Sequence, residues 1–405
     1  MDIENKAWQD AIKEITEKLA NNTSNLQTIH TPFELVNCMI GKLKENVELK
    51  DKTFCVFNLE FVEALIYDYG VARDRIWFVT DCPEKAKIMG HNRYKGVVVA
   101  RGNFLKTEMI MKFDVVIGNP PYQAQQEQKG KKRGGGASLW DKFVFKSFSI
   151  CKDNGYITLI HPSMWRKPES KNSKNKGLWE RITEKQMLYL EIHNSQDGMR
   201  MFNAGTRYDW YIIHNKPYEK PTITVDEDAV VHKIDLRNWN FLPNKNYDLI
   251  EKILAKEEGE KCPLIWNTFY HTAIGRYNYV NETQDKNFKY PLVHSTNKNE
   301  NRFYWTNLKN KGHFGISKVI FGESGINNCI IDMNGEYGMT HCSMAIKVES
   351  LKEAEAIKKA LESEKFKILL ESVSWGNFRI DWRLFRYFRK DFWKEFVDEK
   401  VEVSA

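Results

Sequence analysis

The four residues Asn119-Pro120-Pro121-Tyr122 directly follow an apolar run at residues 113–118. A short apolar run that ends in Gly-Asn-Pro-Pro predicts a buried strand stopped by a tight turn. These four residues supply hydrogen-bond acceptors and an aromatic ring close together in the chain. The side-chain oxygen of Asn119 and the carbonyl oxygen of Pro120 can each accept an N–H hydrogen, and Tyr122 offers a flat face for stacking. Pro121 fixes the backbone between them.

These groups suit methyl transfer onto a planar nitrogen. An exocyclic amino group is a poor nucleophile because its lone pair is delocalised into the ring or amide that carries it. Two fixed acceptors would hold the N–H hydrogens so that the lone pair faces an electrophilic methyl group, and binding geometry would supply most of the rate. No strong general base is then required. The alternative is that the four residues form only a turn after a strand, which they also favour.

The motif and its surroundings, over residues 28–220, resemble the N6-adenine DNA methyltransferases of restriction-modification systems and phages. The order of strand, motif, helix and strand between residues 113 and 160 is the order that a doubly wound sheet requires. The resemblance implies an α/β fold with a Rossmann-like methyltransferase sheet. It also implies S-adenosylmethionine as the cofactor and double-stranded DNA as the substrate, with the target adenine flipped out of the duplex.

Three segments would hold the cofactor if the resemblance is followed residue by residue. Thr31 lies in a segment that resembles the family's cover over the methionine end of S-adenosylmethionine, although Thr-Pro is also an ordinary helix start. Asp81 ends the apolar run 76–80, where the family's acidic residue accepts from the ribose hydroxyls; a turn or helix cap is the alternative. Asn103 replaces the family acid that meets the adenine ring of the cofactor, and a surface turn is its alternative.

The segment at residues 54–61 departs from the family because it contains no glycine. The family's first strand normally runs into a glycine-rich loop that lets the backbone approach the cofactor. Glu60 would substitute in part by accepting from the amino group of the cofactor, and Phe57 would lie against its sulfonium. The alternative is that Glu60 and Glu63 face solvent on an ordinary helix and that cofactor binding is weak or lost.

Residues 206–213 resemble a later strand of the family, whose aromatic residue helps to clamp the flipped base. Tyr208 or Trp210 would take that role here. Aromatic residues in strands are more often part of the core, which is the alternative for both.

A polar, glycine-rich and basic stretch at residues 123–136 follows the motif immediately. A loop in that position is placed to close over an extruded base, so Lys131, Lys132 and Arg133 would contact DNA phosphates. The alternative is a linker that makes no contacts.

Composition limits the class of protein. The chain has 405 residues, of which 42% are hydrophobic, and this excludes a disordered protein. A net charge of +7 fits a nucleic-acid partner. The seven cysteines are scattered and form no CxxC pair, so they indicate reduced thiols of a cytoplasmic protein and no metal site. No apolar stretch approaches the length of a membrane span.

The chain is long enough for two domains, each with its own core. The predicted organisation is an N-terminal helix at 1–27, a catalytic domain at 28–221, an α+β target-recognition domain at 222–396 and a tail at 397–405. A last helix is predicted over residues 380–396, with aromatic residues at helical spacing and a separate basic stripe. Arg383 and Arg386 of that stripe would contact DNA, unless the stripe is a solvated face.

Three competing functions remain at this point. Enzymes that methylate a glutamine side chain in proteins carry the same four-residue motif, and some RNA adenine methyltransferases come close to it. The large second half disfavours the first of these, because such an enzyme needs only a small helper domain ahead of the catalytic one. The third competitor is a non-catalytic DNA-binding relative with a degenerate cofactor site. A separate restriction endonuclease is a possible partner of the predicted enzyme.

Overall fold

The computed structural model describes residues 3–21, 30–109, 111–123, 138–169, 176–272, 277–376 and 380–397. The chain divides into two compact units, Met1–Asn244 and Lys245–Ala405. The predicted boundary after residue 221 is therefore placed too early. Strands at Thr222–Val225 and Val231–Ile234 extend the sheet of the first unit by hydrogen bonding, so this stretch belongs to the first unit.

The first unit contains nine strands in one sheet and seven α-helices among its described residues. The strands are β1 (Phe54–Val56), β2 (Ile76–Thr80), β3 (Val98–Arg101), β4 (Phe113–Gly118), β5 (Cys151–Pro162), β6 (Lys185–His193), β7 (Tyr208–Pro217), β8 (Thr222–Val225) and β9 (Val231–Ile234). The helices are α1 (Ile3–Asn21), α2 (Phe33–Lys44), α3 (Leu59–Tyr67), α4 (Pro83–Ile88), α5 (Trp140–Ile150), α6 (Leu178–Thr183) and α7 (Ser195–Phe202).

The strand order of the sheet is β3-β2-β1-β4-β5-β7-β6-β8-β9. Strands β3, β2, β1, β4 and β5 are parallel to one another. Strand β7 runs antiparallel to both of its neighbours, β5 and β6. The chain moves outward from β1 to β2 and β3, then returns to the other side of β1 with β4. This reversal is the switch point of a doubly wound sheet, and it confirms the α/β fold class predicted from the sequence.

Helices cover both faces of this sheet. On one face, alternate residues of β1, β2, β4 and β7 pack with the apolar sides of α1, α2 and α3 in a single core cluster. On the other face, the ring of Trp140 in α5 stacks on His161 of β5, with ring centroids 4.8 Å apart. Because both faces are buried, the central strands are apolar in succession and do not alternate, as β1 shows with Phe54, Cys55 and Val56.

A fully buried ion pair fastens the end of β5 to β7. Asp209 accepts hydrogen bonds from Ser163, Trp165 and Arg166, at 2.7 to 3.1 Å. Arg166 also donates to the carbonyl oxygens of Leu242 and Pro243 and to the side chain of Asn244. The charged atoms of the pair therefore have hydrogen-bond partners. A buried ion pair needs such partners, because an unpaired buried charge strongly destabilises the fold.

A second buried ion pair fastens α1 to the same unit. Glu63 is fully buried on α3 and is bonded by the Arg93 guanidinium and by the Tyr94 hydroxyl, the latter at 2.8 Å. Arg93 also donates to the side chain of Asn5 in α1, at 2.8 Å, and lies over the ring of Tyr67. The alternative in which Glu60 and Glu63 face solvent is therefore wrong, because both side chains are buried.

The second unit is an α+β arrangement, as predicted. Its elements are α8 (Tyr247–Ile253), β10 (Leu264–Ile265), β11 (Val280–Asn281), β12 (Tyr290–Ser295), β13 (Arg302–Thr306), β14 (Lys318–Gly322), β15 (Gly325–Asp332), β16 (Gly338–Met339), β17 (Ser343–Lys347), α9 (Leu351–Glu362) and α10 (Glu364–Ser372). The strands form two four-stranded sheets, ordered β10-β17-β14-β15 and β11-β13-β12-β16. Ser350 caps α9 by accepting from the backbone N–H of Glu353, at 3.2 Å.

The last predicted helix, at residues 380–396, is wrong. The described residues there form two short 3-10 turns, Leu384–Arg386 and Phe392–Phe396. The intervening backbone pairs instead with residues 253–262, through bridges from Leu254 to Phe388 and from Lys261 to Arg389. The four phenylalanine side chains of the stretch are nevertheless buried, because packing against the core does not require a helix.

Within the described ranges, no helix is long and apolar enough to cross a membrane. The same part of the chain contains no group of three or more His, Cys, Asp or Glu side chains arranged to hold a metal ion.

We expect Arg166→Ala to destabilise the first unit by about 3–5 kcal/mol, because it leaves the buried Asp209 carboxylate unpaired. The matched control is Arg200→Ala, which removes a pair to Asp197 whose arginine side chain is 62% exposed and should change the free energy of unfolding by less than about 1 kcal/mol. Urea unfolding followed by tryptophan fluorescence measures both. Equal effects of the two substitutions would contradict the role given to Asp209.

Candidate active site

The candidate site lies where the parallel strands β1 to β4 end. The carboxyl ends of parallel strands meet at one edge of a sheet, and ligands of doubly wound folds bind outside that edge at the switch point. Asn58, Asp81 and Asn119 follow the ends of β1, β2 and β4 within two residues, and Asn103 follows β3 across Gly102. The four segments singled out in the sequence are therefore brought to one edge by the fold.

Gly118, the last residue of β4, lets β4 approach the end of β1 closely. Its φ of +153° favours glycine. A Cβ atom there would lie 2.8 Å from Oδ1 of Asn58 and 2.9 Å from Cδ2 of Phe57. The motif can therefore lie directly against the residues that follow β1 only because this position has no side chain.

Asn58 holds the backbone of Asn119 with two reciprocal hydrogen bonds. The Asn119 N–H donates to Oδ1 of Asn58 at 2.7 Å, and Nδ2 of Asn58 donates to the Asn119 carbonyl oxygen at 3.0 Å. Both residues are buried. Sequence reasoning missed this role of Asn58, since nothing in the local pattern relates it to a residue 61 positions away.

The side chain of Asn119 presents an unpaired acceptor. Its Nδ2 donates to the hydroxyl oxygen of Thr31 at 3.2 Å, and both residues are almost completely buried. Its Oδ1 is also buried and has no hydrogen-bond partner among the residues that the structure describes. A buried carbonyl oxygen without a partner is uncommon and calls for a ligand that donates to it.

Tyr122 is anchored through its backbone. Its carbonyl oxygen accepts from the N–H of Leu139 at 3.0 Å, and Gln123 pairs with Ser138 in an antiparallel bridge. The chain thus leaves the motif at Gln123 and returns beside it at Ser138. Burial raises the pKa of the Tyr122 hydroxyl, which stays protonated at neutral pH and has no hydrogen-bond partner in the described ranges.

The predicted cofactor residues Glu60 and Thr31 contact each other. Oε1 of Glu60 accepts from the Thr31 N–H at 3.3 Å and is 2.8 Å from Nδ1 of His30. Glu60 is only 1% exposed. Lys85 of α4 is also buried, and burial lowers its pKa. The negative charge of Glu60 acts in the opposite direction on the Lys85 pKa.

The other predicted cofactor residues occupy the same edge. Phe57 is buried and packs edge-on against Phe104 and Phe143, with ring centroids 4.6 and 5.6 Å away. Asp81 is exposed, and partial desolvation raises the pKa of its carboxyl. Oδ1 of Asn103 accepts from the N–H of Leu105 at 3.0 Å, so this oxygen closes a turn, and the amide nitrogen is the part of the side chain left for a ligand.

Both aromatic residues proposed for the flipped base are buried. Trp210 is 0% and Tyr208 is 1% exposed, and both belong to the core cluster between the sheet and its helices, so the assignment of each to the base is corrected to a core role. Tyr208 pairs with Pro162 across β7 and β5 and stacks on His193, with ring centroids 4.3 Å apart.

The other residues predicted to contact DNA fall into two groups. Lys131, Lys132 and Arg133 fall outside the described residues. Arg383 and Arg386 belong to the second unit, where Arg383 is paired with Asp381. Arg386 is exposed and lies over the ring of Trp382, with its guanidinium carbon 4.3 Å from the ring centroid.

His161, a buried histidine at the same edge, belongs to the scaffold. Its Nε2 is 3.0 Å from the Tyr211 hydroxyl, and its Nδ1 is 3.1 Å from the carbonyl oxygen of Pro162. Burial lowers the pKa of His161 to about 4, so the ring is neutral at physiological pH and supports Trp140 of α5.

Gly118→Ala should destabilise the first unit by about 2–5 kcal/mol, the combined effect of backbone strain and overpacking against Asn58 and Phe57. Gly70→Ala is the control, because Gly70 also has a positive φ, of +68°, but no atom lies within 4 Å of the added Cβ. That substitution should cost about 1–2 kcal/mol from backbone strain alone. Thermal and urea unfolding compare the two, and a smaller effect at Gly118 would show that β4 does not need this close approach.

Comparison with known proteins finds similarity over parts of the chain. Residues 73–197 match the family model described as Eco57I restriction-modification methylase. A protein of Mycoplasma pneumoniae described as an uncharacterized adenine-specific methylase is 38% identical over 64 residues, which are 16% of this chain and 14% of that protein.

Two solved structures illustrate the range of structural likeness. A type I restriction-modification methyltransferase subunit from Streptococcus thermophilus is 14% identical, with a TM-score of 0.39, and the match covers 57% of this chain and 55% of that one. The type IIG restriction endonuclease BpuSI is 8% identical, with a TM-score of 0.48, over 97% of this chain and 63% of that one. This chain thus spans only part of each relative, and its match to the Eco57I restriction-modification methylase model is confined to residues 73–197.

Proposed function

We propose that this protein transfers a methyl group from S-adenosylmethionine to the N6 amino group of an adenine in DNA. The observation that carries the proposal is the buried, unpartnered Oδ1 of Asn119 at the switch point of the sheet. It is the acceptor that an amino group would satisfy. The match of residues 73–197 to a restriction-modification methylase family supports the same reaction.

The motif residues would act on the amino group by geometry. Oδ1 of Asn119 and the carbonyl oxygen of Pro120 accept its two N–H hydrogens, so that the nitrogen lone pair is directed away from them. The ring of Tyr122 stacks on the base and keeps it in that orientation. When bound, S-adenosylmethionine supplies an electrophilic methyl group on a sulfonium. The N–C bond forms as the C–S bond breaks, and the amino nitrogen then loses one proton to water.

The residues at the ends of β1 to β3 fit a nucleoside cofactor. Asp81 is an exposed carboxylate at the position suited to ribose hydroxyls, and its exposure leaves it free to accept from them. The amide nitrogen of Asn103 can donate to an adenine edge. Phe57 packs against Phe104 and lies next to Gly118, and it would give the cofactor an aromatic wall.

Base flipping follows from the burial of the acceptor. Asn119 is 2% exposed, so an adenine stacked in a duplex would not reach its Oδ1. The segment that contains Lys131, Lys132 and Arg133 is attached on both sides next to the motif, at Gln123 and Ser138. We propose that these three cations contact phosphates next to the flipped nucleotide.

Target recognition is assigned to the second unit. The motif contacts only the extruded base, so the neighbouring base pairs must be read by another part of the protein. Arg386 is the better candidate of the two arginines predicted to contact DNA, because Asp381 already neutralises Arg383. A cytoplasmic location and a separate restriction endonuclease as partner belong to the same proposal.

Asn119→Ala should lower the rate of methyl transfer by at least about 100-fold, the usual effect of removing one preorganised hydrogen-bonding group from a reacting centre. The dissociation constant for S-adenosylmethionine should change by less than about twofold, since the residue acts on the amino group. Asn46→Ala is the control, because the Asn46 side chain is exposed and donates to the carbonyl oxygen of Lys42, away from the motif in sequence. Mass spectrometry of DNA nucleosides measures N6-methyladenine.

Near wild-type turnover of the Asn119 variant would contradict the mechanism. Methyl groups found only on RNA or on protein glutamine would remove DNA as the substrate. Failure of the wild-type protein to bind S-adenosylmethionine would support a non-catalytic DNA-binding relative instead.

Arg386→Ala should weaken binding to duplex DNA and reduce the salt dependence of binding by about one phosphate contact if the guanidinium meets a phosphate. If it meets a base, the set of methylated adenines should broaden. The control replaces both members of the neighbouring ion pair, as Asp381→Asn with Arg383→Gln, and leaves the net charge unchanged. Fluorescence anisotropy at several salt concentrations compares them. An unchanged affinity for Arg386→Ala would exclude this arginine from the DNA surface.

A further inference from the structure

Thr31 connects the start of α2 to the motif across 88 residues of sequence. Its hydroxyl oxygen accepts from Nδ2 of Asn119 at 3.2 Å, and the side chain is fully buried. Resemblance to methyltransferases suggested a contact between this residue and the methionine end of the cofactor. The contact that the structure shows is to the side chain that would hold the substrate.

This contact determines which end of the Asn119 amide faces outward. The two hydrogen bonds to Asn58 use the Asn119 backbone and leave its side-chain torsion free. Rotation of the amide by half a turn would exchange Oδ1 with Nδ2. An amino group would then meet the N–H donors of Nδ2 in place of an acceptor, and the geometry needed for attack would be lost.

Glu60 holds Thr31 in place. Its Oε1 accepts from the Thr31 N–H at 3.3 Å, and Nδ1 of His30 lies 2.8 Å from the same oxygen. Glu60 is 1% exposed, so its carboxylate depends on these partners in the protein interior. A continuous series of contacts therefore runs from Glu60 through Thr31 to Asn119.

We propose that Thr31 and Glu60 are positioning residues that keep Oδ1 of Asn119 directed at the substrate, and that neither is a ligand of the cofactor. The proposal rests on the function given above for Asn119. Thr31 fixes the amide, and Glu60 fixes Thr31. The identity of the cofactor contacts at Asp81, Phe57 and Asn103 is unaffected.

The first test compares Thr31→Val, which keeps the shape and removes the acceptor, with Thr31→Ser, which keeps the acceptor. The valine variant should lower kcat by about 10- to 100-fold, the effect of one lost hydrogen bond to a reacting group, with the dissociation constant for S-adenosylmethionine within about twofold of wild type. The serine variant should restore kcat to within about threefold. A valine variant with normal kcat at saturating cofactor and weakened cofactor binding would overturn the proposal.

The second test compares Glu60→Ala, which removes the oxygen that accepts from the Thr31 N–H, with Glu60→Gln, which keeps such an oxygen without the charge. The alanine variant should lower kcat by about tenfold or more, and the glutamine variant should recover most of that loss. If the carboxylate instead binds the positively charged amino group of the cofactor, both variants should weaken cofactor binding by about tenfold or more. That result would assign Glu60 to the cofactor and overturn its positioning role.

A third measurement does not depend on turnover. In protein labelled with 15N-asparagine, the side-chain amide signal of Asn119 is identified by its loss in Asn119→Ala. Its exchange with solvent should be slow in wild type and in Thr31→Ser, and faster in Thr31→Val. If the wild type transfers no methyl group, the proposed function fails, whereas this exchange still decides the contact. Equal exchange in all three proteins would overturn the inference.

Discussion

The reciprocal hydrogen bonds between Asn58 and the backbone of Asn119 are the contact on which the site depends. They join the ends of β1 and β4, the two strands at the switch point of the sheet. Both residues are buried, so the two bonds are shielded from competing water and hold the turn in one position. Every other group of the site is placed relative to this junction.

The segment that follows β1 contains no glycine, and a glycine at the end of β4 allows the close approach of the two strand ends. Residues 54–61 contain none, and the close approach between the two strand ends is made instead by Gly118, which lies against Phe57 and Asn58. Where the sequence differs from the family that it resembles, the side chain of Asn58 binds the backbone of Asn119 directly and supports it.

Buried charge recurs in the first unit. Asp209 with Arg166 and Glu63 with Arg93 are pairs whose carboxylates are fully buried, and each joins elements that are distant in sequence. Pairs of this kind contribute little net stability compared with apolar side chains, but breaking one is strongly unfavourable. They therefore specify which elements lie together, and Arg166 in this way connects residues 242–244 to β7 of the nine-stranded sheet.

The sequence by itself determined the apolar strands β2 and β4, the position of Asn119-Pro120-Pro121-Tyr122 directly after β4 and the fold class, because apolar runs and turn residues are local signals. Only the tertiary structure decided that Thr31 contacts Asn119, that Glu60 contacts Thr31, and that Trp210 belongs to the core. It also replaced the predicted last helix by turns that pair with residues 253–262. The physical reason is that these outcomes depend on contacts between residues far apart in the chain, which leave no periodic pattern in the sequence.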